Sequence, residues 1–176
     1  MIKKILLGLG VILGLILSIG FVAPKDFVIE RAIVINKPKA LVFAEIKQLK
    51  KHNDWSPWAK LDRNMKVEFR GTDGTVGFVS AWSGNSEVGV GEQEIKAIVE
   101  GQKIELALRF KEPMEDSSQV FLTTESLDAN QTKVKWTMKG VGKFPFNIVC
   151  FFMGMNSKME KDFDDGLSSL KALLEK

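Results

Sequence analysis

Few side chains in this sequence are of the kinds that perform acid–base chemistry or bind metals. It contains one histidine, His52, one cysteine, Cys150, and no tyrosine. A metal site built from several histidines, a cysteine cluster and an internal disulfide are therefore excluded. A metal site built from carboxylates alone stays open, although no spacing of Asp and Glu indicates one. An acid–base pair would have to come from His52 and Asp54, which diverge on a helix because they are two residues apart. We expect an exposed His52, a buried apolar Cys150, no catalytic residue and no cofactor.

The charged residues of the strand-like segments follow the polar phase of their alternation. Arg109, Glu92, Glu94 and Glu105 all occupy such positions. Side chains on the wet face of a sheet form cross-strand ion pairs. These four residues are predicted to face solvent rather than a substrate.

Large apolar side chains suggest different chemistry, the binding of an apolar molecule. The segment NDWSPW places Trp55 and Trp58 three residues apart, so on one helical turn they would share a face. At the rim of a cavity, each indole offers an apolar body and one N–H donor. Methionine adapts to ligands of varied shape. The predicted ligand-binding residues are Trp55, Trp58, Phe78, Trp82, Phe110, Met114, Trp136, Met155, Met159 and Phe163.

The same residues would also suit a solid core, in which Trp55 and Trp58 simply plug the open end of a sheet. A filled core and a hollow one have the same residue pattern. Both interpretations therefore remain open from the sequence.

The net charge of +3 is concentrated at the N-terminus, where Lys3, Lys4 and Lys25 flank an apolar run and no acid precedes Asp26. Without these three, 22 basic residues face 22 acidic ones. A neutral domain lacks the electrostatic basis of nucleic-acid binding. No nucleic-acid partner is expected.

The apolar run covers residues 5–23. At 1.5 Å per residue it spans about 28 Å as a helix, close to the hydrocarbon thickness of a bilayer. We predict an uncleaved single-pass anchor in residues 1–25, with residues 26–176 as one domain on the exported, periplasmic or extracellular, side. A signal peptide cleaved after Gly20 is the alternative.

The rest of the chain alternates between apolar and polar residues in short segments separated by turn residues. Strands are predicted over 27–35, 67–70, 76–82, 89–100, 104–110, 120–125 and 134–138, with helical segments over 41–49 and 52–55 between the first two. Asn36 is the N-cap candidate of the first helix, and Pro57 should end the second. Short connections predict an antiparallel meander of six to seven strands with one dry face.

The last segment has an apolar stripe at helical spacing, formed by Met155, Met159, Phe163, Leu167, Leu170 and Leu174. Ser157 and Glu160 fit a capping box. Gly166, in mid-helix, suggests a close neighbour there. The fold class is therefore α+β, with a curved antiparallel sheet wrapped around a long C-terminal helix.

Six segments in this order resemble a known family: WSPW at 55–58, VGFVSAWSGN at 76–85, VGVGE at 88–92, LRFKEP at 108–113, VKWTM at 134–138 and DFDDGLSSLK at 162–171. The resemblance is to the START-like helix-grip superfamily (SRPBCC), in its polyketide cyclase/dehydrase-type branch. It implies a cavity between sheet and long helix that holds lipids, sterols, polyketides or similar molecules.

We therefore expect a membrane-anchored domain that binds a hydrophobic or amphipathic small molecule or lipid in a cavity between the sheet and the C-terminal helix. Two alternatives from other classes stay open. One is an enzyme of cyclase, dehydratase or hydrolase type acting on a hydrophobic substrate, and the other is a co-chaperone-like protein-interaction module.

Overall fold

Seven antiparallel strands form one sheet in a computed structural model that describes residues 26–142 and 154–176 together with Lys3, Lys4, Gly8 and Asn147. The strand order is β1-β7-β6-β5-β4-β3-β2. Five pairs of consecutive strands, from β2 and β3 to β6 and β7, are thus also neighbours in space, and β1 is the edge strand beside β7. The strands are β1 (Asp26–Ile35), β2 (Lys66–Arg70), β3 (Val79–Ser83), β4 (Val90–Val99), β5 (Lys103–Glu112), β6 (Asp116–Ser126) and β7 (Thr132–Val141).

Three short helices connect β1 to β2: α1 (Lys39–Lys47), α2 (His52–Trp55) and α3 (Trp58–Leu61), with a 3-10 turn at Leu49–Lys51. The first helix begins after Pro38, whose carbonyl accepts hydrogen bonds from the backbone of Leu41 and Val42. The predicted Asn36 cap was wrong, because the N-cap is Pro38 and no side chain caps the helix. Proline suits this position because its φ is already helical.

The predicted dry face of the meander is confirmed. Its inward side chains alternate along the strands with outward ones, most of which are less buried, as the two-residue period requires. The buried residues of this face include Ile29, Ile35, Ile95, Ile104, Leu106, Val120, Leu122, Val134, Trp136 and Met138. Phe78 is also buried, but it precedes β3 in a turn that pairs with Ile95 through two backbone hydrogen bonds.

The long C-terminal helix α4 (Met155–Leu174) lies on the inward face along β1. Its Phe163, Leu167 and Leu170 are at most 1% exposed. Arg31 of β1 donates to Glu160 at 2.6 Å and to Asp164 at 3.0 Å. The expected capping box was wrong: α4 begins after Gly154, whose φ is 62°, so Ser157 lies inside the helix.

The sheet has two ends, which differ in how they are covered. We call one the Asp26 end; it holds the start of β1, the end of β7 and the turn between β5 and β6. The opposite one, the Ile35 end, holds the end of β1, the start of β7 and the turn between β6 and β7. Helix α1 and the C-terminal half of α4 contact the sheet toward the Ile35 end.

The predicted anchor, residues 5–23, lies outside the described residues except for Gly8. Among the residues that are described, no helix is both long and apolar enough to cross a membrane.

Candidate functional site

The WSPW segment divides into two separate helical turns. Helix α2 ends at Trp55, Ser56 is extended with ψ 130°, and Pro57 is the N-cap of α3. The expectation that Trp55 and Trp58 share a face of one turn was therefore wrong. Both indoles nevertheless reach Trp136 on β7, edge-to-face, with ring centroids 5.4 Å and 5.8 Å away.

These indoles belong to an aromatic cluster that joins the turn, the sheet and α4. Trp136 stacks on Phe163 with centroids 4.3 Å apart and an interplanar angle of 10°. Trp55, Trp136 and Phe163 are all buried, whereas Trp58 is half-buried at the margin. The cluster is thus core for three of its members, and Trp58 alone keeps a solvent-facing side.

A second aromatic pair lies on the inward face at the Asp26 end. Trp82 of β3 and Phe110 of β5 meet edge-to-face with centroids 5.8 Å apart. They fit together because Gly91 stands between them on β4, where an added Cβ would lie 2.6 Å from Cζ2 of Trp82. Neither ring is fully buried.

Together with their inward neighbours, these rings form a surface that we call the open face: Phe27, Val67, Trp82, Leu108 and Phe110, all half-buried. Most of the matching positions toward the Ile35 end are closed, although Ile33 and Ile98 stay half-buried. Ile35, Ile104, Leu122 and Val134 are each 0% exposed. One sheet therefore has a packed half and an incompletely covered apolar half.

Three buried polar atoms have no hydrogen-bond partner within the described part of the chain: the Trp55 and Trp136 indole nitrogens and Ser118 Oγ. Ser118 belongs to the inward row of the Asp26 end. A Cβ on Gly140 would lie 2.7 Å from Ser118 Oγ and 2.5 Å from the Phe27 ring. Leaving a buried donor unpaired costs about 1–3 kcal/mol, so an acceptor brought by a ligand or water would be stabilising here.

The remaining predicted ligand-binding residues lie apart from these groups. Phe78 is 0% exposed and stacks on Phe69 with centroids 5.9 Å apart. Met159 is half-buried against the core. Met114 and Met155 are exposed, the first in the β5–β6 turn and the second at the start of α4. Contact of the ten residues with a ligand stays a prediction.

His52 is buried, and the expectation of an exposed histidine was wrong. Its Nε2 lies 2.7 Å from the Ile46 carbonyl oxygen, so Nε2 carries the proton and donates it. Burial lowers the pKa of His52 to about 4, which keeps the ring neutral at pH 7. Asp54 is exposed, so the two residues do not form a proton-transfer pair.

The outward face carries the predicted ion pairs. Arg109 of β5 bonds Glu92 at 3.0 Å and Glu94 at 2.7 Å on β4, which confirms a solvent-facing ladder. The bond from Arg109 is the main cause that lowers the pKa of Glu94. Glu105 lies 3.6 Å from Lys103 on its own strand rather than across strands. No group of three or more possible ligand side chains in the described residues could hold a metal ion.

Two clefts are open to solvent, and the second shares Phe27 and Leu108 with the open face. One of about 600 Å³ separates α3 from α4 and is lined by Pro57, Lys60 and Asp162 among others. The second, of about 570 Å³, crosses the strands at the Asp26 end and includes the outward-facing Val28 and Lys139.

Alternation alone could have found part of the open face. Phe27, Leu108 and Ser118 have the inward phase of their strands, but none of them was among the predicted ligand-binding residues. Gly91 and Gly140 carried no signal, because a glycine in a strand does not reveal which ring will cover it.

No protein-family model matches this chain, and no curated protein sequence matches it. Solved structures match along most of its length. Zhui aromatase/cyclase from Streptomyces sp. R1128 has a TM-score of 0.63 at 13% identity, covering 85% of this chain and 94% of that one. Ara h 8.0201 has 0.55 at 17%, covering 84% and 99%. The Aha1 dimer from Colwellia psychrerythraea has 0.55 at 17%, covering 82% and 93%.

At these identities the likeness concerns the fold. The chain has a helix-grip fold, in which a seven-stranded antiparallel sheet holds a long C-terminal helix.

Proposed function

We propose that this chain is a membrane-anchored domain that binds a hydrophobic or amphipathic small molecule or lipid against the open face. The observation that carries the proposal is the contrast between the two ends of the sheet. Most inward side chains toward the Ile35 end, such as Ile104 and Leu122, are fully buried, while Trp82, Leu108 and Phe110 stay half-buried at the Asp26 end. Covering these apolar surfaces with a ligand would yield roughly 25 cal/mol for each Å² removed from water.

The unpaired polar atoms favour an amphipathic ligand. Ser118 Oγ is buried beside Phe27 on the inward side and has no partner among the described residues. A carbonyl, carboxylate or hydroxyl oxygen of a ligand would accept its hydrogen bond. Apolar walls with one or two polar groups are typical of sites that hold and orient small molecules.

One fold neighbour is named an aromatase/cyclase, which supports a small-molecule site without specifying a ligand and also raises the enzyme alternative. Such chemistry needs an acid–base group within reach of the substrate. Of the candidates, His52 is engaged by Ile46, and Asp54 and Arg109 lie on other surfaces. A binding domain therefore fits the described residues better.

The membrane part of the proposal comes from residues 5–23 and the lysines that precede them. We place the domain on the exported side, because Lys3 and Lys4 favour a cytoplasmic N-terminus.

The test uses the full chain in nanodiscs and 11-(dansylamino)undecanoic acid added from water, with empty nanodiscs as the blank. All four tryptophans lie on or beside the inward face, so bound probe should receive energy from them. Saturable transfer that unlabelled fatty acid reverses is the expected result. Transfer no greater than that of the blank at every probe concentration would overturn the proposal.

A further inference from the structure

The first strand starts almost directly after the apolar run. Only Pro24 and Lys25 separate Ala23 from Asp26, the first residue of β1. Three extended steps of the chain reach at most about 11 Å. If residues 5–23 lie in a bilayer, Asp26 must stay within that distance of its surface.

Because Asp26 is paired within the sheet, a whole end of the sheet must lie near the membrane surface together with it. It pairs with Val141 of β7, and β6 begins beside the β5–β6 turn that carries Met114. From Asp26 to Ile35 the sheet extends about 30 Å at roughly 3.3 Å per residue. The tether thus reaches one end of the sheet and not the other.

The end that is tethered is the one that carries the open face. Phe27, Leu108 and Trp82 lie there, half-buried, while the closed half of the inward face lies toward the Ile35 end. Large apolar residues are also exposed around the Asp26 end: Val28 at 61%, Val141 at 54%, Met114 at 44% and Met155 at 38%.

We propose, on the basis of the function proposed above, that the Asp26 end rests on the bilayer that holds residues 5–23, so that the open face takes its ligand directly from that membrane. The ligand class is then a membrane-resident amphiphile with one or more acyl or comparable apolar chains. A lipid that passes from bilayer to protein at this contact does not have to cross water.

The surface at the Asp26 end contacts a lipid bilayer rather than a protein, because the short link to residues 5–23 keeps the membrane beside it. With a linker of only a few residues, the effective concentration of membrane at this end is near its maximum, so weak contacts between protein and lipid suffice. The charges around the end are mixed, with Lys111 and Lys139 beside Glu112 and Glu115, all exposed. Docking should therefore work on zwitterionic phosphatidylcholine and depend little on salt.

The first test lengthens the tether. A flexible insert of twenty Gly and Ser residues between Lys25 and Asp26 has a mean reach of about 25 Å and frees the domain to tilt or lift away. The matched control places the same insert after Lys176. In phosphatidylcholine vesicles that contain a lipid with a dansyl-labelled acyl chain, uptake should slow about tenfold with the N-terminal insert only. Binding of the water-delivered fatty-acid probe should be the same in all three chains.

The second test measures which end meets the membrane. In a Cys150→Ser background that still binds the water-delivered probe, a bimane label is attached at Met114→Cys or at Leu127→Cys. These two turn positions are 44% and 50% exposed and lie at opposite ends of the sheet. Nitroxide-labelled phospholipid should quench the label at 114 and leave the one at 127 unaffected.

Equal quenching at the two positions, or unchanged lipid uptake with the long tether, would overturn the membrane contact. Binding of the water-delivered probe would then still uphold the function proposed above. If that probe fails to bind in every chain, both proposals are wrong.

Discussion

A Cβ atom added to Gly166 in α4 would lie 2.9 Å from Cζ3 of Trp136 in β7. The same position is 3.2 Å from Cδ of Pro57, so helix, sheet and the WSPW turn meet at one point. A close neighbour was expected there from the sequence, and the neighbour is the sheet itself. Since carbon atoms do not approach to 2.9 Å without repulsion, the helix has room only for glycine.

Gly166→Ala should therefore destabilise the fold although alanine favours helices. The helix propensity gain is about 1 kcal/mol, whereas overpacking against an indole that is stacked on Phe163 costs about 1–3 kcal/mol. We expect a net loss of up to about 2 kcal/mol in urea unfolding followed by circular dichroism.

The matched control is Ser168→Ala, two residues away on the exposed side of α4. This substitution also raises helix propensity, but it overpacks no neighbouring ring, so the free energy of unfolding should stay the same or rise slightly. A Gly166→Ala protein more stable than the parent would mean that Trp136 moves aside at little cost.

The sequence predicted the order and type of the elements well, because they depend on local periodicity. Alternation marked the inward positions of β5, β6 and β7, and the stripe of α4 marked the helix that covers them. The expectation of a shared face missed the extended Ser56, which separates Trp55 from Trp58. The signal was present in the sequence, because a residue before proline is disfavoured from the helical conformation and Pro57 was expected to end the second helical segment.

The sequence also did not predict which individual polar side chains are buried. His52 can be buried because the carbonyl oxygen of Ile46, at the end of α1, accepts a hydrogen bond from its Nε2–H. Every residue type has a backbone carbonyl, so the sequence does not reveal this partner. In the same way, the difference between the two ends of the sheet depends on which helices lie over which strand ends. That is a tertiary property, and Leu106 and Leu108 look alike in sequence.

Leu108→Trp should fill part of the open face and weaken ligand binding. The position is half-buried, so the larger ring has space on one side, and stability should change by less than about 1.5 kcal/mol. Affinity for the water-delivered dansyl fatty acid should fall about tenfold or more, measured by energy transfer in titrations.

Gln119→Trp provides the matched control, since it adds the same ring on the exposed outward face of the neighbouring strand β6. Affinity there should stay within twofold of the parent. Loss of affinity in both variants alike would place the probe somewhere other than the open face.

Ser118→Ala should stabilise the protein while it lowers affinity for a ligand with an acceptor group. Removing a buried hydroxyl without a partner avoids its desolvation cost, so stability should rise by about 1 kcal/mol or stay equal. Binding of a fatty acid should weaken severalfold, and binding of a hydrocarbon probe such as diphenylhexatriene should not change.

Thr132→Val is the contrasting variant. Thr132 is 0% exposed and its hydroxyl donates to the Lys37 carbonyl at 2.8 Å, so losing it should cost about 1–2 kcal/mol without affecting either ligand. If Ser118→Ala behaved like Thr132→Val, the Ser118 hydroxyl would have a structural partner and no role in a ligand site.

His52 should make the fold less stable as the pH falls from about 6.5 to about 4. Burial lowers the pKa of the folded histidine to about 4 from its ordinary 6.5, so the unfolded chain binds the proton first. Stability is therefore complete above pH 6.5, declines through this window and loses nothing further from His52 below pH 4. Between pH 7 and pH 4.5 the loss should be roughly 2–3 kcal/mol. The negative charge of Asp73 favours the protonated ring and thereby limits this loss of stability.

Urea unfolding at several pH values, compared with His52→Gln, isolates this contribution. Carboxylates such as Glu92 and Glu94, whose pKa values are lowered by Arg70 and Arg109, also lose stabilising bonds toward low pH, but they do so equally in both proteins. The difference between the two curves should thus narrow or reverse in favour of His52→Gln as the pH falls. Parallel curves from pH 7 to pH 4 would mean that His52 titrates with its ordinary pKa, and hence that its ring reaches solvent.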